Sequence, residues 1–577
     1  MKGKFKFMQK KWYYKNTSFN KQLSEEFGLH PAIIKVMADR GIKDEKEVIN
    51  YLHASMDDVT SGEELTDMKK GVEIMHNCII ENKRIRVMAD YDVDGATSGY
   101  ILHQGLIGLG ANCDIFIPHR IKDGYGLNES AITTAKADGI EVIITCDNGI
   151  AAAKEIKMAK NFDMTVVVTD HHEVPYEEME DGTKQYIIPD ADAVIDPKRE
   201  EDEGIFKEIC GAVVAWKFMR CLYKSFNKEE EFNNSDFLEF ASLGTVCDVM
   251  ELLYENRSIV KEGLKRMKNT SNIGMKALLE VLDLKDKDLC AYDYGFKIGP
   301  CINAEGRLDN ALNAFNLFVE TDYDEALKKA KTMRELNITR QELTRKGMEE
   351  AFKIVDETLS NDKVLVIYLP DCHESIAGII AGKVREKYNK PSFVLTNSKD
   401  FLKGSGRSIE KFSMYKELVK CKDLLLAFGG HPLAAGLSLK PENLESFRQR
   451  INDNCTLSES DFIPKVLIDV ILPVEFLSRN FIQQLDVLEP FGKGNEKPIF
   501  AQRNVKGLRA EIIGKNKNVL KVTLDNRNCK TAVCFNDIEE KKSILQSKIF
   551  DFNMLYYPSI NEWNGKKSIQ AIVSDIC

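Results

Sequence analysis

The chain has 577 residues, of which 43% are hydrophobic, and this length exceeds what one core organises. We expect roughly three or four domains. Its 80 basic and 90 acidic residues leave a net charge of −10, which excludes a protein that binds polyanions over its whole surface. Any nucleic-acid site is therefore a local groove. The 14 cysteines include no C-x-x-C pair, which argues against structural zinc and against a secreted disulfide framework.

The N-terminal stretch is basic, but no apolar core region follows it, and no later segment is apolar over the length that a bilayer requires. We expect an untargeted, cytoplasmic protein that makes no membrane contact. Residues 1–75 are polar, and their apolar spacing predicts short helices that form an N-terminal extension.

From residue 84 onward, short apolar runs end in an acidic residue and are followed by segments with helical spacing. The runs precede Asp90, Asp147, Asp170 and Asp196. Apolar runs of this length are typical of strands buried on both faces, and their alternation with helices predicts a doubly wound parallel sheet over residues 76–265. Ligands of such sheets bind outside the carboxyl ends of the strands, so the aspartates are expected to converge on one site.

Residues 266–360 are predicted to form a helical linker, since the stretch from Asp322 to Leu359 lacks proline and keeps helical spacing. One helix of that length spans roughly 55 Å and connects domains rigidly. A second α/β domain is predicted over residues 361–455. Short alternating strands from about residue 456 to 577 predict a small β-barrel.

The loop that follows the first predicted strand carries three carboxylates at alternate positions, Asp90, Asp92 and Asp94, before Gly95. Alternation aims the carboxylates to one side. Clustered carboxylates repel one another unless a cation neutralises them, which favours a hard divalent metal. A solvated acidic turn explains this loop equally well when the loop is taken alone.

The later strand ends favour the metal site. Asp147 and the run Asp170, His171 and His172 repeat the placement, and Asp248 adds a carboxylate from a mostly apolar stretch. A lone buried histidine is usually a satisfied core residue, but two adjacent histidines after a strand-end aspartate are harder to explain that way. Mixed oxygen and imidazole ligands suit two Mn²⁺ or Mg²⁺ ions and predict phosphoester hydrolysis.

These segments resemble a known superfamily. ADYDVDGATS, TCDNGIAA, VTDHHEVP and GTVCDVMEL are similar to the successive motifs of the DHH phosphoesterases. IPHRIKDGYGLN, GPCINAEGRLDNA, GSGRS, FGGHPLAAG and LEPFGKGNEKPIF are similar, in this order, to segments of the bacterial RecJ exonuclease family. The resemblance implies a DHH domain, a DHHA1 domain after the linker and a C-terminal OB-fold barrel.

The resemblance also implies roles for individual residues. Asp92 and Asp147, with Asp90 close by, would hold one metal ion, and Asp94, Asp147, His171 and Asp248 would hold the other. Catalytic roles fall to Asp147, Asp170 and His172, with His172 on the scissile phosphate. A second group would grip the 5′ end of the strand and line its groove: Arg120, Tyr125, Arg307, His373, Ser405, Arg407, Gly430 and His431. Surface ion pairs are the ordinary alternative for each of these arginines.

The implied activity is 5′→3′ hydrolysis of single-stranded DNA to 5′-mononucleotides in recombination and repair. The implied partners are single-strand binding protein and a RecQ-type helicase, and the family is commonly monomeric. Two alternatives stay open. One is a phosphodiesterase of short oligonucleotides or cyclic dinucleotides, whose members usually lack the connector and the barrel. The other is a catalytically inactive scaffold, whose members lose motif carboxylates that this chain keeps.

Two further features bear on DNA contact. In GPCINAEGRLDNA, Cys301 stands where the family commonly has a basic residue, which predicts one weakened phosphate contact. The predicted barrel carries a cluster of basic residues, which is either a single-strand binding face or a solvated surface: Lys506, Arg509, Lys515, Lys517, Lys521, Arg527 and Lys530.

Overall fold

The computed structural model describes residues 10–120, 123–124, 126–179, 181–202, 206–514, 516–545, 550–563 and 565–577. The chain forms two compact units, and each is discontinuous in sequence. The first comprises residues 61–248 and 263–464, and the second comprises residues 10–60, 249–262 and 465–577. The domain bounds given above are finer than this division and stay predictions.

The elements up to residue 267 are short helices followed by an alternation of strands and helices. They are β1 (Lys11–Tyr14), α1 (Gln22–Glu26), α2 (Pro31–Ala38), α3 (Glu45–Leu52), α4 (Met68–Ile80), β2 (Arg84–Ala89), α5 (Val93–Gly108), β3 (Asn112–Phe116), α6 (Glu129–Ala137), β4 (Val142–Cys146), α7 (Ala153–Asn161), β5 (Thr165–Thr169), β6 (Tyr176–Glu178), β7 (Lys184–Tyr186), β8 (Ala193–Ile195), α8 (Gly211–Ser225), α9 (Glu229–Asn233), α10 (Phe237–Cys247) and α11 (Tyr254–Met267).

The remaining elements are a helical segment, a second α/β region and a run of long strands. They are α12 (Ile273–Val281), α13 (Ala291–Asp293), α14 (Gly299–Leu308), α15 (Leu312–Phe318), α16 (Tyr323–Ile354), β9 (Leu365–Tyr368), α17 (Glu374–Tyr388), β10 (Ser392–Ser398), β11 (Phe401–Arg407), α18 (Met414–Val419), β12 (Leu425–Gly430), β13 (Ala434–Leu439), α19 (Leu444–Asp453), β14 (Lys465–Ile468), β15 (Val470–Ile471), α20 (Arg479–Gln484), β16 (Phe500–Ile513), β17 (Val519–Leu524), β18 (Cys529–Cys534), α21 (Ile538–Ile544), β19 (Phe550–Trp563) and β20 (Lys566–Ile576). Single π-helical turns, Tyr294–Ile298 and Val355–Leu359, follow α13 and α16.

The parallel sheet predicted from the apolar runs is confirmed. Five strands lie in the order β3-β2-β4-β5-β8, and every pair is parallel. Helices α6 and α7 pack on the face that presents Met88 and Val166, whereas Gly71 of α4 and Gly99 of α5 approach side chains of the opposite face. The sheet is therefore covered on both sides, which explains the uninterrupted apolar runs of its strands.

The connector and the second sheet of the first unit also follow the prediction. Helix α16 has 32 residues, which corresponds to about 48 Å, and Asp322 caps its first turn by accepting from the Glu325 amide. The second sheet has the order β12-β13-β11-β10-β9, in which only β9 and β10 pair in parallel.

The second unit is built on the predicted barrel. Strands β16, β17, β18, β20 and β19 are neighbours in this order, and β16 also pairs with β19, which closes the sheet on itself. The N-terminal strand β1 pairs in parallel with β14, from Lys11 beside Lys465 to Tyr14 beside Ile468. Sequence analysis predicted only helices before residue 75, because nothing local to β1 marks a partner about 450 residues away in the chain.

Arg257 of α11 organises the loop that precedes β16. Its guanidinium is fully buried and donates to three carbonyl oxygens, those of Tyr51, Val487 and Leu488, at 2.8 to 3.2 Å. The same group lies 3.8 Å from the centre of the Tyr51 ring. Asn495 donates to the Leu488 and Pro490 carbonyls and accepts from the Tyr51 hydroxyl. These hydrogen bonds give the segment LEPFGKGN, residues 488–495, a structural role.

We expect Arg257→Met to lower the free energy of unfolding of the second unit by about 3 kcal/mol, since each of three carbonyls loses its hydrogen bond from the buried guanidinium. Arg257→Lys restores only part of this loss, because an ammonium group cannot reach all three acceptors in the fork geometry. Urea unfolding followed by circular dichroism measures both. Arg527→Met, an exposed arginine of the barrel, is the matched control. Equal effects of the two methionine variants would contradict this role.

Candidate metal centre and phosphate groove

The predicted acidic residues lie at the carboxyl ends of the central strands. Asp90 follows β2, Asp147 follows β4 and Asp170 follows β5. Asp92 caps α5 and accepts from the Gly95 amide at 3.1 Å. Asp147 has the left-handed backbone conformation with a φ of 60°, which aspartate tolerates better than most residues. The turns after β2 and β4 therefore bring Asp90, Asp92 and Asp147 together, whereas the Asp170 carboxylate binds the Ile150 amide and the His172 ring.

His171 lies at the centre of the convergence. Its Nε2 atom is 3.1 Å from Oδ1 of Asp147, 3.6 Å from Oδ2 of Asp94 and 3.7 Å from Oδ2 of Asp248. Asp248 is the residue that ends α10. Side chains from two strand ends and two helix ends thus meet around one imidazole nitrogen.

Three groups of side chains bring their ligand atoms within 4.8 Å of one another, and all are predicted site residues. They are Asp90, Asp92 and Asp147; Asp94, His171 and Asp248; and Asp147, His171 and His172. The first two groups correspond to the two predicted metal positions. Asp147 belongs to the first and third groups, and its carboxylate is 3.1 Å from the His171 nitrogen of the second. The bridging role of Asp147 stays a prediction.

The electrostatics of the cluster fit a bound cation. Burial, and then the charge of Asp92, raises the pKa of Asp90 well above its usual range, and burial with neighbouring carboxylates does the same to the pKa of Asp147. Burial lowers the pKa of His171, which favours the neutral imidazole that binds metals. Oδ1 of Asp90 is buried and, among the described residues, has no hydrogen-bond partner. A divalent cation would satisfy this oxygen and relieve the repulsion.

The start of helix α8 holds the carboxylate of Asp94. The amides of Gly211 and Ala212 donate to its two oxygens at 2.6 and 3.0 Å. Burial raises the pKa of Asp94, and these amide donors oppose that effect. A Cβ atom at Gly211 would lie 2.8 Å from Cβ of Asp147, so only glycine allows this approach. Sequence reasoning missed Gly211, whose local sequence carries no signal.

His172 differs from its neighbour, since 44% of its side chain is exposed. Burial alone would lower its pKa, but the hydrogen bond from its Nδ1 to Oδ1 of Asp170, at 2.7 Å, and the charge of Asp170 raise it to about 9. Burial opposes ionisation of Asp170, yet its bonds to His172 and to the Ile150 amide lower its pKa. The pair therefore places a cationic imidazole at the open side of the cluster.

Two further polar residues support the strand ends. The Asn148 amide donates to the carbonyls of Met88 and Cys146 and so ties the ends of β2 and β4 together. Asp196 follows β8, and burial together with the charge of Asp170 raises its pKa to about 8. The apolar run before Asp196 predicted a strand-end position for this residue but no role. Asn148 lies in the motif TCDNGI, and the sequence pattern gave it no predicted role.

A groove of about 730 Å³ adjoins the cluster and is lined by four of the predicted phosphate ligands, Arg120, Arg307, Ser405 and Arg407. Tyr91, which lies between two metal-site aspartates in the chain, also lines it, and the Arg120 guanidinium lies 4.4 Å from its ring centre.

The guanidinium groups of the groove repel one another. Burial, followed by the charges of Arg120 and Arg340, lowers the pKa of Arg307 to about 10. Burial and the charge of Arg120 also lower the pKa of Arg407. The chain as a whole is negatively charged, but these crowded guanidinium groups make the groove locally positive. Such a groove suits an anion such as phosphate.

Three other predicted groove residues, His373, Gly430 and His431, are not part of the lining of this groove. His373 caps α17, and its Nδ1 is 2.7 Å from the Ser375 hydroxyl, whose backbone carbonyl accepts from Arg307 at 2.7 Å. Gly430 and His431 form the turn between β12 and β13, where the His431 amide donates to the Ala434 carbonyl and Gly430 has a φ of 137°. Gly429, next to that turn, lines the groove. Tyr125 lies outside the described residues.

Cys301 does not face the groove. Its side chain is fully buried, and its sulfur accepts from the Asn337 amide of α16 at 3.3 Å. Arg340 donates to the side-chain oxygen Oδ1 of Asn337 at 3.0 Å and contributes positive charge beside Arg307. Helix α16 thus contributes a basic residue, Arg340, near Cys301, the position where the family commonly has a basic residue.

Two of the basic residues of the barrel form ion pairs on its surface. Lys506 forms an ion pair with Asp525 at 3.3 Å, and Arg509 forms one with Glu511 at 2.7 Å. Lys515 lies outside the described residues. These pairs agree with a solvated surface, and the prediction of DNA contact there stays a prediction.

Comparison with known proteins agrees with this geometry. Residues 84–245 match the DHH family, N-terminal domain, residues 361–456 match the DHHA1 domain, and residues 468–575 match the RecJ OB domain. The parallel sheet with its aspartate and histidine cluster thus defines a protein of the DHH family. Within the described residues, no helix combines the length and the apolar character needed to cross a membrane.

The relatives narrow the family further. A Bacillus subtilis protein named single-stranded-DNA-specific exonuclease RecJ is 33% identical over 96% of this chain and 69% of its own length. The chain belongs to the RecJ family. The crystal structure of Thermus thermophilus RecJ in complex with Mn²⁺ matches 98% of this chain and 79% of that one, with a TM-score of 0.82 and 24% identity, which supports the fold. A crystal structure of exonuclease RecJ bound to manganese has a TM-score of 0.59 and 30% identity over 67% of this chain and 94% of that one.

We expect Asp147→Asn to raise the melting temperature of the metal-free protein at pH 8 and to abolish most of the further rise that Mn²⁺ produces. The substitution removes one repelling charge and also the carboxylate that belongs to two ligand groups, while asparagine tolerates the left-handed backbone. Thermal melts with and without Mn²⁺ measure both effects. Asp400→Asn, an exposed turn residue, is the control. A variant with a full Mn²⁺ response would contradict the assignment of Asp147.

Proposed function

We propose that this protein is a metal-dependent 5′→3′ exonuclease that hydrolyses single-stranded DNA to 5′-mononucleotides in recombination and repair. The observation that carries the proposal is the proximity of two sites of opposite charge. One is a buried aspartate and histidine cluster, and the other is an arginine groove lined by Tyr91, which lies in the chain between Asp90 and Asp92 of the cluster. The names of the RecJ relatives, which specify single-stranded DNA, support this substrate.

Two divalent ions, Mn²⁺ or Mg²⁺, are the proposed cofactors. Asp90, Asp92 and Asp147 would hold one, and Asp94, Asp147, His171 and Asp248 the other. When bound, such ions polarise the phosphodiester and activate the attacking water. The manganese complexes of RecJ relatives support this cofactor.

His172 is the proposed contact to the scissile phosphate. Its cationic imidazole, held by Asp170 through Nδ1, would donate from Nε2 to a phosphate oxygen on which negative charge develops. Asp170 acts by fixing the orientation and charge of the imidazole. The amide of Ile150 in turn fixes Asp170.

The arginine groove would account for the proposed 5′→3′ direction of digestion. Arg120, Arg307 and Arg407 offer bidentate donors, and Ser405 adds a hydroxyl, so a terminal 5′-phosphate with its additional charge binds more tightly than an internal phosphodiester. Binding of this terminus would place the first phosphodiester bond beside the metal cluster, which favours stepwise release of mononucleotides. His373, Gly430 and His431 are proposed as supporting residues of this groove, together with Tyr125.

The cellular setting follows from the same proposal. We infer a cytoplasmic monomer that acts with single-strand binding protein and a RecQ-type helicase, both of which deliver or expose single strands. The closed barrel of the second unit and the long α16 connector favour a long single strand over an isolated dinucleotide as substrate.

The direct test is digestion of a 5′-phosphorylated, 3′-labelled single strand in Mn²⁺, beside duplex and dinucleotide substrates. We expect stepwise shortening of the single strand from its 5′ end, and a loss of at least about a hundredfold in kcat with Asp147→Ala, because the shared ligand is removed. Cleavage of the dinucleotide alone would instead indicate an oligonucleotide phosphodiesterase. Bound Mn²⁺ without any cleavage would indicate an inactive scaffold.

The 5′-phosphate groove predicts a second result. Arg407→Gln is expected to raise KM for a 5′-phosphorylated strand by about tenfold to a hundredfold, since a hydrogen bond to a charged group contributes roughly 1.5 to 3 kcal/mol. KM for a 5′-hydroxyl strand should change far less. Steady-state kinetics on the two substrates gives both values. Arg345→Gln on α16, where Arg345 is exposed and paired with Glu349, is the matched control. Identical changes for both substrates would place the phosphate elsewhere.

A further inference from the structure

Two aromatic rings are stacked on the surface of the first unit, outside the metal cluster and the groove. The rings of Tyr292 and Phe296 lie 4.6 Å apart with an interplanar angle of 17°. Tyr292 is 60% exposed and Phe296 is 68% exposed. Single exposed aromatic residues are ordinary, but a stacked pair held open to solvent presents a flat apolar face of the kind on which another planar group binds.

The backbone that carries this pair is held by contacts of Asp293. Asp293, between the two rings in sequence, accepts from the Cys290 amide at 3.0 Å and forms an ion pair with Lys297 at 2.7 Å. The backbone from Tyr294 to Ile298 is a single π-helical turn inserted between α13 and α14. Such turns occur often at functional sites, since they re-aim side chains at a cost in backbone regularity.

The segment is continuous with the proposed active site. The Cys247 thiol donates to the Tyr294 carbonyl at 3.6 Å, and Cys247 immediately precedes the metal-site residue Asp248. Gly299 approaches the Cys247 sulfur so closely that a Cβ atom there would lie 2.5 Å away. The backbone between the two rings therefore lies against the end of α10, which is followed by Asp248.

Helix α14 connects the rings to the groove. It begins at Gly299, directly after the π-helical turn, and its last turn carries Arg307, which lines the groove. Gly306 lies against the Tyr91 carbonyl, where a Cβ atom would be only 2.6 Å away. From Phe296 to Arg307 the chain advances 307 − 296 = 11 residues, which corresponds to roughly 16 Å along a helix. This is a span of a few nucleotides.

We propose that Tyr292 and Phe296 form a stacking platform for nucleobases of the single strand, a few nucleotides behind the 5′ end that the groove holds. This inference rests on the proposed function and extends its substrate site. Stacking suits the task, because every base offers a π face and no sequence preference is imposed. Lys297 lies on the same turn, where its ammonium group forms an ion pair with Asp293.

An intrahelical role is the structural alternative. Aromatic residues four positions apart stabilise a helix by only a few tenths of a kcal/mol. In that case replacement changes the melting temperature slightly and leaves DNA binding unchanged. A protein partner on the rings also leaves DNA binding unchanged.

The test uses the whole chain in EDTA and a 5′-phosphorylated thymidine dodecamer that carries one 2-aminopurine at successive positions. Stacking on a ring quenches 2-aminopurine fluorescence. We expect quenching at one or two adjacent positions a few nucleotides from the 5′ end, lost in the double variant Tyr292→Leu, Phe296→Leu. The dissociation constant of the dodecamer should rise about fivefold to a hundredfold in that variant. Tyr323→Leu, an exposed tyrosine at the start of α16, should change neither value.

Kinetics separate this inference from the proposed function. With Mn²⁺, KM for the dodecamer should rise in the double variant, while any activity on a dinucleotide should stay unchanged, because the dinucleotide cannot reach the rings. The single variant Phe296→Trp should bind the dodecamer at least as tightly as the parent protein. This variant tests the platform even if the leucine variant unfolds. Unchanged binding and KM in folded variants would overturn the platform while leaving the exonuclease in place. Ring-dependent quenching without cleavage by the parent protein would keep the platform and refute the exonuclease.

Discussion

Repulsion among buried carboxylates is the constraint on which the architecture of this protein depends. Asp90, Asp94 and Asp147 lie together where burial and mutual charge raise the pKa of each. The fold offsets part of this cost with backbone amides, most directly those of Gly211 and Ala212 at the start of α8. The repulsion that the amides do not offset is relieved when cations bind. The same repulsion that destabilises the metal-free site therefore favours metal binding.

The same arrangement separates positive from negative charge over a short distance. Tyr91 lies in the chain between Asp90 and Asp92, yet its ring lies against the Arg120 guanidinium in the groove. Gly306 packs on the backbone of Tyr91 and precedes Arg307. One loop and one helix end therefore hold the anionic centre beside the cationic groove.

Much of this was visible in the sequence because it depends on local periodicity. Apolar runs that end in Asp90, Asp147 and Asp170 predicted both the parallel sheet and the convergence of its strand ends, and uninterrupted helical spacing predicted α16. The parts that were not visible depend on tertiary neighbours. The α8 amides that hold Asp94 are backbone groups with no residue signature, and the burial of Cys301 against Asn337 is decided by the packing of α14 on α16. The pairing of β1 with β14 was missed for the same reason.

That pairing has a consequence for the order in which the molecule assembles. The second unit begins with residues 10–60 and is completed only by residues 465–577, so its first strand leaves the ribosome long before its partner exists. At a synthesis rate of roughly 5 to 20 residues per second, the intervening 465 − 60 = 405 residues take about 20 to 80 s. During this interval the first unit can fold, while the edge of β1 and the apolar faces of α2 and α3 wait for the barrel. Helices α2 and α3 are therefore made before the first unit and buried only after the barrel strands that follow it.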